Sequence, residues 1–553
     1  MNGNLHILMV AAENDALPGG KVGGIGDVVR DAPPALAARG CEVTVLTPAY
    51  GAFAALPDAR LMGSVAVGFR GSRELLRFYE VRGRTAHARV RHVVVDHPLF
   101  AACGAGRIYC DDPPDTPFAT DANKFALFGA AAAQALARGV IVRPDVVHLH
   151  DWHAALVLAL RRFHSDYAGL RDLRTVFTIH NLALQGIRPF RGYASSLERW
   201  FPDLVYDPSV LADPRWPHCV NPMAVGIRLA DAVHTVSPTY AREILEPSAV
   251  QTRGYYGGEG LEADLRDAHS AGRLFGILNG CEYPEASPTA LSWPDLVALL
   301  RRQVVRWAGS EAVLRSAHFV ADQRLSEWSH KAPGVVLTSV GRITEQKVRL
   351  LREPDANGRP ALEGVLEALG DDGVYLFLGT GAAEYEQFFT SVSAGASGFV
   401  FLRGYSDVVA RALYAAGDLF LMPSSFEPCG ISQMLAMRAG QPCLVHDVGG
   451  LRDTVQDGVD GFAFDGEGLA DQAEGLVARL RTALELRRTG AGRWRAIRQA
   501  AANARFSWDD TVAAYIQKLY RSPPRPRKVS GADTASKKRS AKRTKFTKKN
   551  QKM

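Results

Sequence analysis

The chain has no apolar run near the roughly 20 residues that a membrane-spanning helix needs. Its best candidate, Phe125–Ala133, is soon broken by Gln134 and Arg138. No basic segment precedes the first apolar run, so Leu5–Ala12 is expected to be a first strand rather than a secretion signal. There is no CxxC pair. The seven cysteines (41, 103, 110, 219, 281, 429 and 443) are scattered and odd in number. That pattern predicts reduced thiols in a cytoplasm and argues against a disulfide framework or a zinc site. The GxxxxGK[ST] loop of phosphate-cradling nucleotidases is missing, and so is the GxGxxG dinucleotide fingerprint. No acid-rich cluster suits a hard cation. The expectation is therefore a protein without metal or cofactor.

What is present is a globular composition, 47% hydrophobic and 22% charged. The 553 residues suffice for two large domains or several small ones. The net charge of +7 hides an uneven distribution. Residues 521–553 hold thirteen Lys or Arg against one acid, Asp533, which leaves the first 520 residues at −5. A basic segment with so little apolar material is expected to be disordered and to suit a polyanion.

Short apolar strands alternate with amphipathic helices, the pattern of a parallel α/β protein. In the first half strands are expected at Leu5–Ala12, Glu42–Leu46, Asp145–His150 and Arg174–Ile179. In the second half they are expected at Val335–Val340, Val374–Leu378, Phe399–Leu402, Asp418–Met422 and Pro442–His446. The fold class expected is α/β, with two doubly wound Rossmann-like domains facing a cleft. The first domain spans 1–290, a linker 291–332, the second domain 333–520 and the basic tail 521–553. The stretch Leu476–Tyr520 reads as helical and is expected to pack back across both domains.

Six segments carry chemistry. Gly19–Asp27 (GGKVGGIGD) follows the first strand and runs into a helix. Its glycines, Gly23 and Gly24 among them, allow close backbone approach, and Lys21 is a mobile charge suited to phosphate. Arg342 and Lys347 leave the strand ending at Val340 and can neutralise a diphosphate. His148–His153 and Thr178–Asn181 supply neutral imidazoles, including His180, and the carboxylate Asp151 for a polyhydroxylated substrate. Asn279, after Leu274–Leu278, closes a turn near the same cleft. The sixth segment is Pro423–Gly440 (PSSFEPCGISQMLAMRAG), with one carboxylate, Glu427, and one thiol, Cys429, ahead of a helix expected to begin at Gly430. Unpaired N–H groups at Gly430, Ile431 and Ser432 would attract phosphate. The same position would lower the Cys429 pKa.

These segments resemble the bacterial glycogen synthases and plant starch synthases, retaining glycosyltransferases of the GT-B fold. Seven motifs carry the resemblance in order: KVGGIGDVV (21–29), HLHDWHAAL (148–156), VFTIHNLALQG (176–186), TVSPTYAREI (235–244), GILNG (276–280), GRITEQK (341–347) and 423–440. The resemblance implies transfer of glucose from ADP-glucose, or UDP-glucose, to the non-reducing end of an α-1,4-glucan. It implies that Lys21, Gly430, Ile431 and Ser432 hold the donor, that Arg342 and Lys347 stabilise the departing diphosphate, and that Glu427 holds the donor glucose. It further implies that His180 contacts that glucose and that Asp151 lies on the acceptor side. Departures occur at Cys281-Glu282, at Val348 after Glu-Gln-Lys, and at Gly379–Glu384 (GTGAAE). They fall near the expected nucleotide position. Two alternatives stay open: a related transferase with another sugar or a small acceptor, and a glucan-binding relative without turnover.

Overall fold

In the computed structural model, residues 4–283, 290–355 and 357–521 are described. The basic tail expected to bind a polyanion lies, beyond Arg521, outside the described residues.

The first sheet has nine strands. In spatial order they are Leu274–Gly276, Ala232–Thr235, Arg174–Ile179, Val146–His150, His6–Val10, Glu42–Pro48, Val90–Asp96, Ser72–Val81 and Arg60–Phe69. All pairings are parallel up to Val90–Asp96, and the last two strands add antiparallel. The three strands between residues 60 and 96 are not among those expected. Their hairpin turns at Arg70 and Gly71, both with positive φ (56° and 81°), which matches the tight turns that join twisted strands.

The second sheet runs Phe399–Arg403, Gly373–Gly379, Val335–Val340, Leu419–Met422, Cys443–His446 and Gly461–Phe464, with every pairing parallel. Strand alternation feeds two cores. Val336, Val374 and Leu376 face one, while Leu337, Tyr375 and Phe377 face the other. The segment expected to be a linker, with a helical stretch near Val297–Trp307, forms two helices, Trp293–Ser310 and Ser316–Glu327. Leu296, Val297, Leu300 and Val304 from the first, and Ala321 and Leu325 from the second, join the core of the second sheet. The apolar spacing along the first helix explains this, because a stripe that wide needs a covering surface.

The chain then crosses back. After helices Leu469–Thr489 and Ala491–Asn503 comes Trp508–Ala514, followed by a π-helical turn, Tyr515–Tyr520. Trp508, Val512, Tyr515, Leu519 and Tyr520 pack in one core with Ile7, Met9, Val28 and Leu36 of the first domain. Gly280 is the close-approach point for this strap. A Cβ there would lie 2.6 Å from the Trp508 backbone and ring. Gly280→Ala is therefore expected to destabilise the protein by about 1–3 kcal/mol, the usual cost of overpacking. Differential scanning calorimetry would read this as a midpoint lowered by a few degrees, and an unchanged midpoint would contradict the packing.

The cysteine expectation needs correction. Cys103 and Cys110 form a disulfide, with Cα atoms 5.5 Å apart. Gly104 and Gly106, at φ 108° and 77°, bend the intervening loop back on itself. The other five cysteines lie outside this disulfide and are buried.

Candidate active site

In each sheet the crossovers reverse direction beside one strand. Crevices at such points are where open α/β sheets bind ligands. In the second sheet the reversal lies between Val335–Val340 and Leu419–Met422. The loops after these strands carry Arg342, Lys347 and Glu427. Lys347, in helix Glu345–Arg352, places Nζ 2.5 Å from Glu427 Oε2. The Ser424 hydroxyl donates to the same oxygen at 3.3 Å. Glu427 is buried, at 5% exposure, whereas the Lys347 side chain keeps 23%. Gln346 clamps the two loops together. Its side-chain amide donates to Phe426 O (2.8 Å) and its backbone carbonyl accepts from Ser425 N (2.9 Å). Arg342 is exposed and makes no hydrogen bond or ion pair among the described residues.

The Glu427 loop is also supported from below by Gly449 and Gly450, which the sequence motifs did not single out. Gly450 N donates to Glu427 O at 3.0 Å. A Cβ on Gly449 would fall 1.9 Å from that carbonyl, and one on Gly450 would fall 2.4 Å from the Cys429 Cα. Only glycine lets these backbones approach so closely. The first domain holds the same loop from the other side. Ser237 Oγ donates to Pro428 O (2.6 Å), and Glu243 accepts from Gly449 N (2.9 Å).

The helix after Glu427 starts later than expected. It runs Ser432–Arg438, with Ile431 as N-cap. Gly430 sits at φ 75°, outside helical space, and packs against the Gln433 side chain. That left-handed residue is what delays the helix. Cys429 also departs from expectation. Burial pushes its thiol up to about 12, overriding the adjacent helix end. Alkylation of the folded protein with iodoacetamide at pH 8 should leave Cys429 unmodified for hours. Peptide mass mapping that found it modified first would contradict this burial.

In the first sheet the reversal lies between His6–Val10 and Val146–His150. The glycine loop after Val10 is organised by Glu13, a buried carboxylate that the motifs missed. Glu13 accepts from Val22 N (2.9 Å), Gly23 N (2.6 Å) and the Tyr109 hydroxyl (2.9 Å). Two N–H groups of the loop are thus already bound to an anion, and Gly23 is N-cap to a helix that begins at Gly24. Lys21 points outward, paired with Asp27 at 2.6 Å.

Asp151 opens helix Asp151–Phe163 at φ 53°, a strained position for a residue other than glycine. Its carboxylate accepts from His180 N at 2.7 Å, and burial pushes its pKa up to about 8. The His180 ring meets His150 through Nε2···Nδ1 at 3.0 Å, and burial holds both imidazoles neutral. Asn181 reaches across to Gln346 at 3.4 Å, which brings the His180 loop beside the Lys347 helix. Asn279 is buried, and its backbone lies near enough to the Cys429 thiol to act on it, so the two halves meet there as well. The structure therefore groups Glu427 with Lys347, Asp151 with His180, and Asn279 with the Glu427 loop. Lys21 and Arg342 stand apart as exposed cations.

The positions that depart from the family pattern have local partners. Val348 is buried in the second core. Cys281 N donates to Phe506 O (2.6 Å), and the Glu282 carbonyl accepts from Arg438. Thr380 Oγ1 and Gly381 N donate to Glu386 at 2.6 and 2.8 Å, so that loop is closed by its own carboxylate.

Residues 6–267 match the family model described as the starch synthase catalytic domain, and residues 359–485 match glycosyl transferases group 1. The glycogen synthase of Anaeromyxobacter sp. (strain Fw109-5) is 35% identical, over 94% of this chain and all of that one. The glycogen synthase of Streptococcus equi subsp. zooepidemicus (strain H70) is 32% identical with the same coverage. Among solved structures, the catalytic domain of starch synthase IV from Arabidopsis thaliana, bound to ADP and acarbose, superposes with a TM-score of 0.71. It is 26% identical and covers 94% of this chain and 99% of its own. The sucrose-phosphate synthase of Thermosynechococcus elongatus shares the fold, at a TM-score of 0.51 and 17% identity.

Proposed function

The chain belongs to the glycogen synthase and starch synthase family of glycosyltransferases, and we propose that it lengthens an α-1,4-glucan by one glucose at a time, with retention, from ADP-glucose. The observation that carries this reading is similarity to glycogen synthases over 94% of the chain combined with the pairing of buried Glu427 with Lys347 at a sheet reversal point. No helix among the described residues is long and apolar enough to cross a membrane. A cytoplasmic site of glycogen synthesis is part of the same proposal.

Each residue has a role in this reading. Arg342 and Lys347 meet the diphosphate as its bond to glucose breaks. Such preorganised charge is worth roughly 3–4 kcal/mol for one well-placed donor. The exposed state of Arg342 suits a cation awaiting an anion. Gly430, Ile431 and Ser432 line the phosphate with backbone N–H groups, and Lys21 contributes from the facing domain once released from Asp27. Glu427 positions the glucose. It is not cast as a displacement nucleophile, because glycosidases use two opposed carboxylates about 5 Å apart, whereas Glu427 faces the Lys347 ammonium. His180 and Asn279 contact the sugars, and Asp151 orders the His180 loop on the acceptor side.

The test is incorporation of labelled glucose into precipitable glycogen, with ADP-glucose and UDP-glucose compared side by side. Efficient ADP-glucose-dependent incorporation supports the reading. No incorporation from either donor would refute it, and preference for UDP-glucose would correct the donor.

A further inference from the structure

Beneath His180 lies a set of buried histidines whose hydrogen bonds have only one self-consistent direction. His234 Nε2 is 3.2 Å from Ile277 O. A carbonyl can only accept, so His234 carries its proton on Nε2 and its Nδ1 is bare. Thr178 Oγ1, at 2.9 Å, must donate to that Nδ1. Its single proton is then committed, and it accepts from His148 Nε2 at 2.6 Å. His148 Nδ1 is therefore bare and accepts from the Tyr520 hydroxyl at 2.9 Å. Burial keeps His148 and His234 neutral, which this assignment requires.

His148 stacks on His150, with ring centroids 4.4 Å apart and planes 23° apart. His150 Nδ1 meets His180 Nε2 at 3.0 Å, and its own Nε2 is buried without a partner. A buried lone pair is tolerated better than a buried orphan N–H. His150 thus donates from Nδ1, and neutral His180 keeps its proton on Nδ1.

We propose that Tyr520 is a positioning residue for glucosyl transfer: from the crossing-back strap, its hydroxyl completes a one-way chain through His148, Thr178 and His234 that fixes the ring on which His150 stacks, and so holds His150 where its Nδ1 meets His180. The strap is suited to this. The Arg174 side chain donates to Leu519 O (2.6 Å), and the Tyr515 ring packs against His234 at 4.9 Å. The C-terminal end of the folded body is thereby coupled to the sugar site. The inference rests on the role proposed above for His180.

The experiment is a two-bond proton–nitrogen spectrum of full-length protein labelled with [15N]histidine, recorded alongside kinetics. The wild type should show His148 and His234 protonated at Nε2, and His150 at Nδ1. Tyr520→Phe should lower kcat about tenfold, leave the donor KM within twofold and the melting midpoint within a few degrees, and shift the His148 and His150 ring-nitrogen signals. Thr178→Val breaks the same chain, so adding Tyr520→Phe to it should lower kcat little further. A wild-type His234 protonated at Nδ1 would overturn the proposal. So would a Tyr520→Phe variant with unchanged kcat and imidazole signals, or additive losses in the double variant. Failure of the His180 role would appear separately, as full activity in His180→Ala, while the tautomer pattern would still report on the chain.

Discussion

Glu427→Ala is expected to abolish glucosyl transfer, with kcat lowered at least about a thousandfold, the upper range for loss of one preorganised electrostatic group. The carboxylate is 5% exposed and lies 2.5 Å from Lys347 Nζ. Its removal takes away the group proposed to hold glucose and also the charge that aims Lys347 at the diphosphate. Breaking a fully buried ion pair would cost about 3–5 kcal/mol of stability. Lys347 keeps 23% exposure and can turn to water, so the loss of stability should be well below that. Labelled-glucose incorporation and circular dichroism together make the check. Glu427→Gln keeps the shape and removes the charge, so it should be nearly as inactive. Near-normal polymer synthesis by Glu427→Ala would remove Glu427 from the site.

The second large effect is acid unfolding of the first domain. Burial lowers His150 and His153 to about 3 and His234 to about 4, and holds His148 and His180 well below the ordinary value. In the unfolded chain each returns to about 6.5. Between pH 6.5 and about 4 the unfolded state therefore binds more protons than the folded state. Stability is fully present above pH 6.5 and falls as the pH falls, by up to about 1.4 kcal/mol per histidine per pH unit. Asp151 acts in the opposite sense. Its folded pKa of about 8 means that the folded state holds an extra proton between pH 4 and 8. One such group offsets one histidine of the five. The thermal midpoint should drop on the order of 10 °C between pH 6.5 and pH 5, given the unfolding entropy of a chain this long. A midpoint that stays flat over that interval would show that the imidazoles are not buried neutral.

The features legible in the sequence are those set by local pattern. Runs such as Val335–Val340 announce buried parallel strands. The loops at 341–347 and 423–440 each follow a strand, and that placement alone brings Lys347 and Glu427 to one crevice. Other features depend on partners far away in the chain. The glycine loop reads as open to phosphate, yet Glu13, itself held by the Tyr109 hydroxyl nearly a hundred residues on, accepts from two of its N–H groups. Cys429 stands next to a helix end, which favours a thiolate, but the surrounding packing decides its pKa and raises it. The stripe along Leu296–Val304 shows that a surface must cover it, but not that the surface is the second sheet. Periodicity and motif spacing thus determined two doubly wound sheets and the candidate residues proposed for the site. Only the tertiary structure decided which polar groups are already satisfied, which thiols pair and which way the buried histidines point, because burial and hydrogen-bond partnership are properties of contacts between segments that lie far apart along the chain.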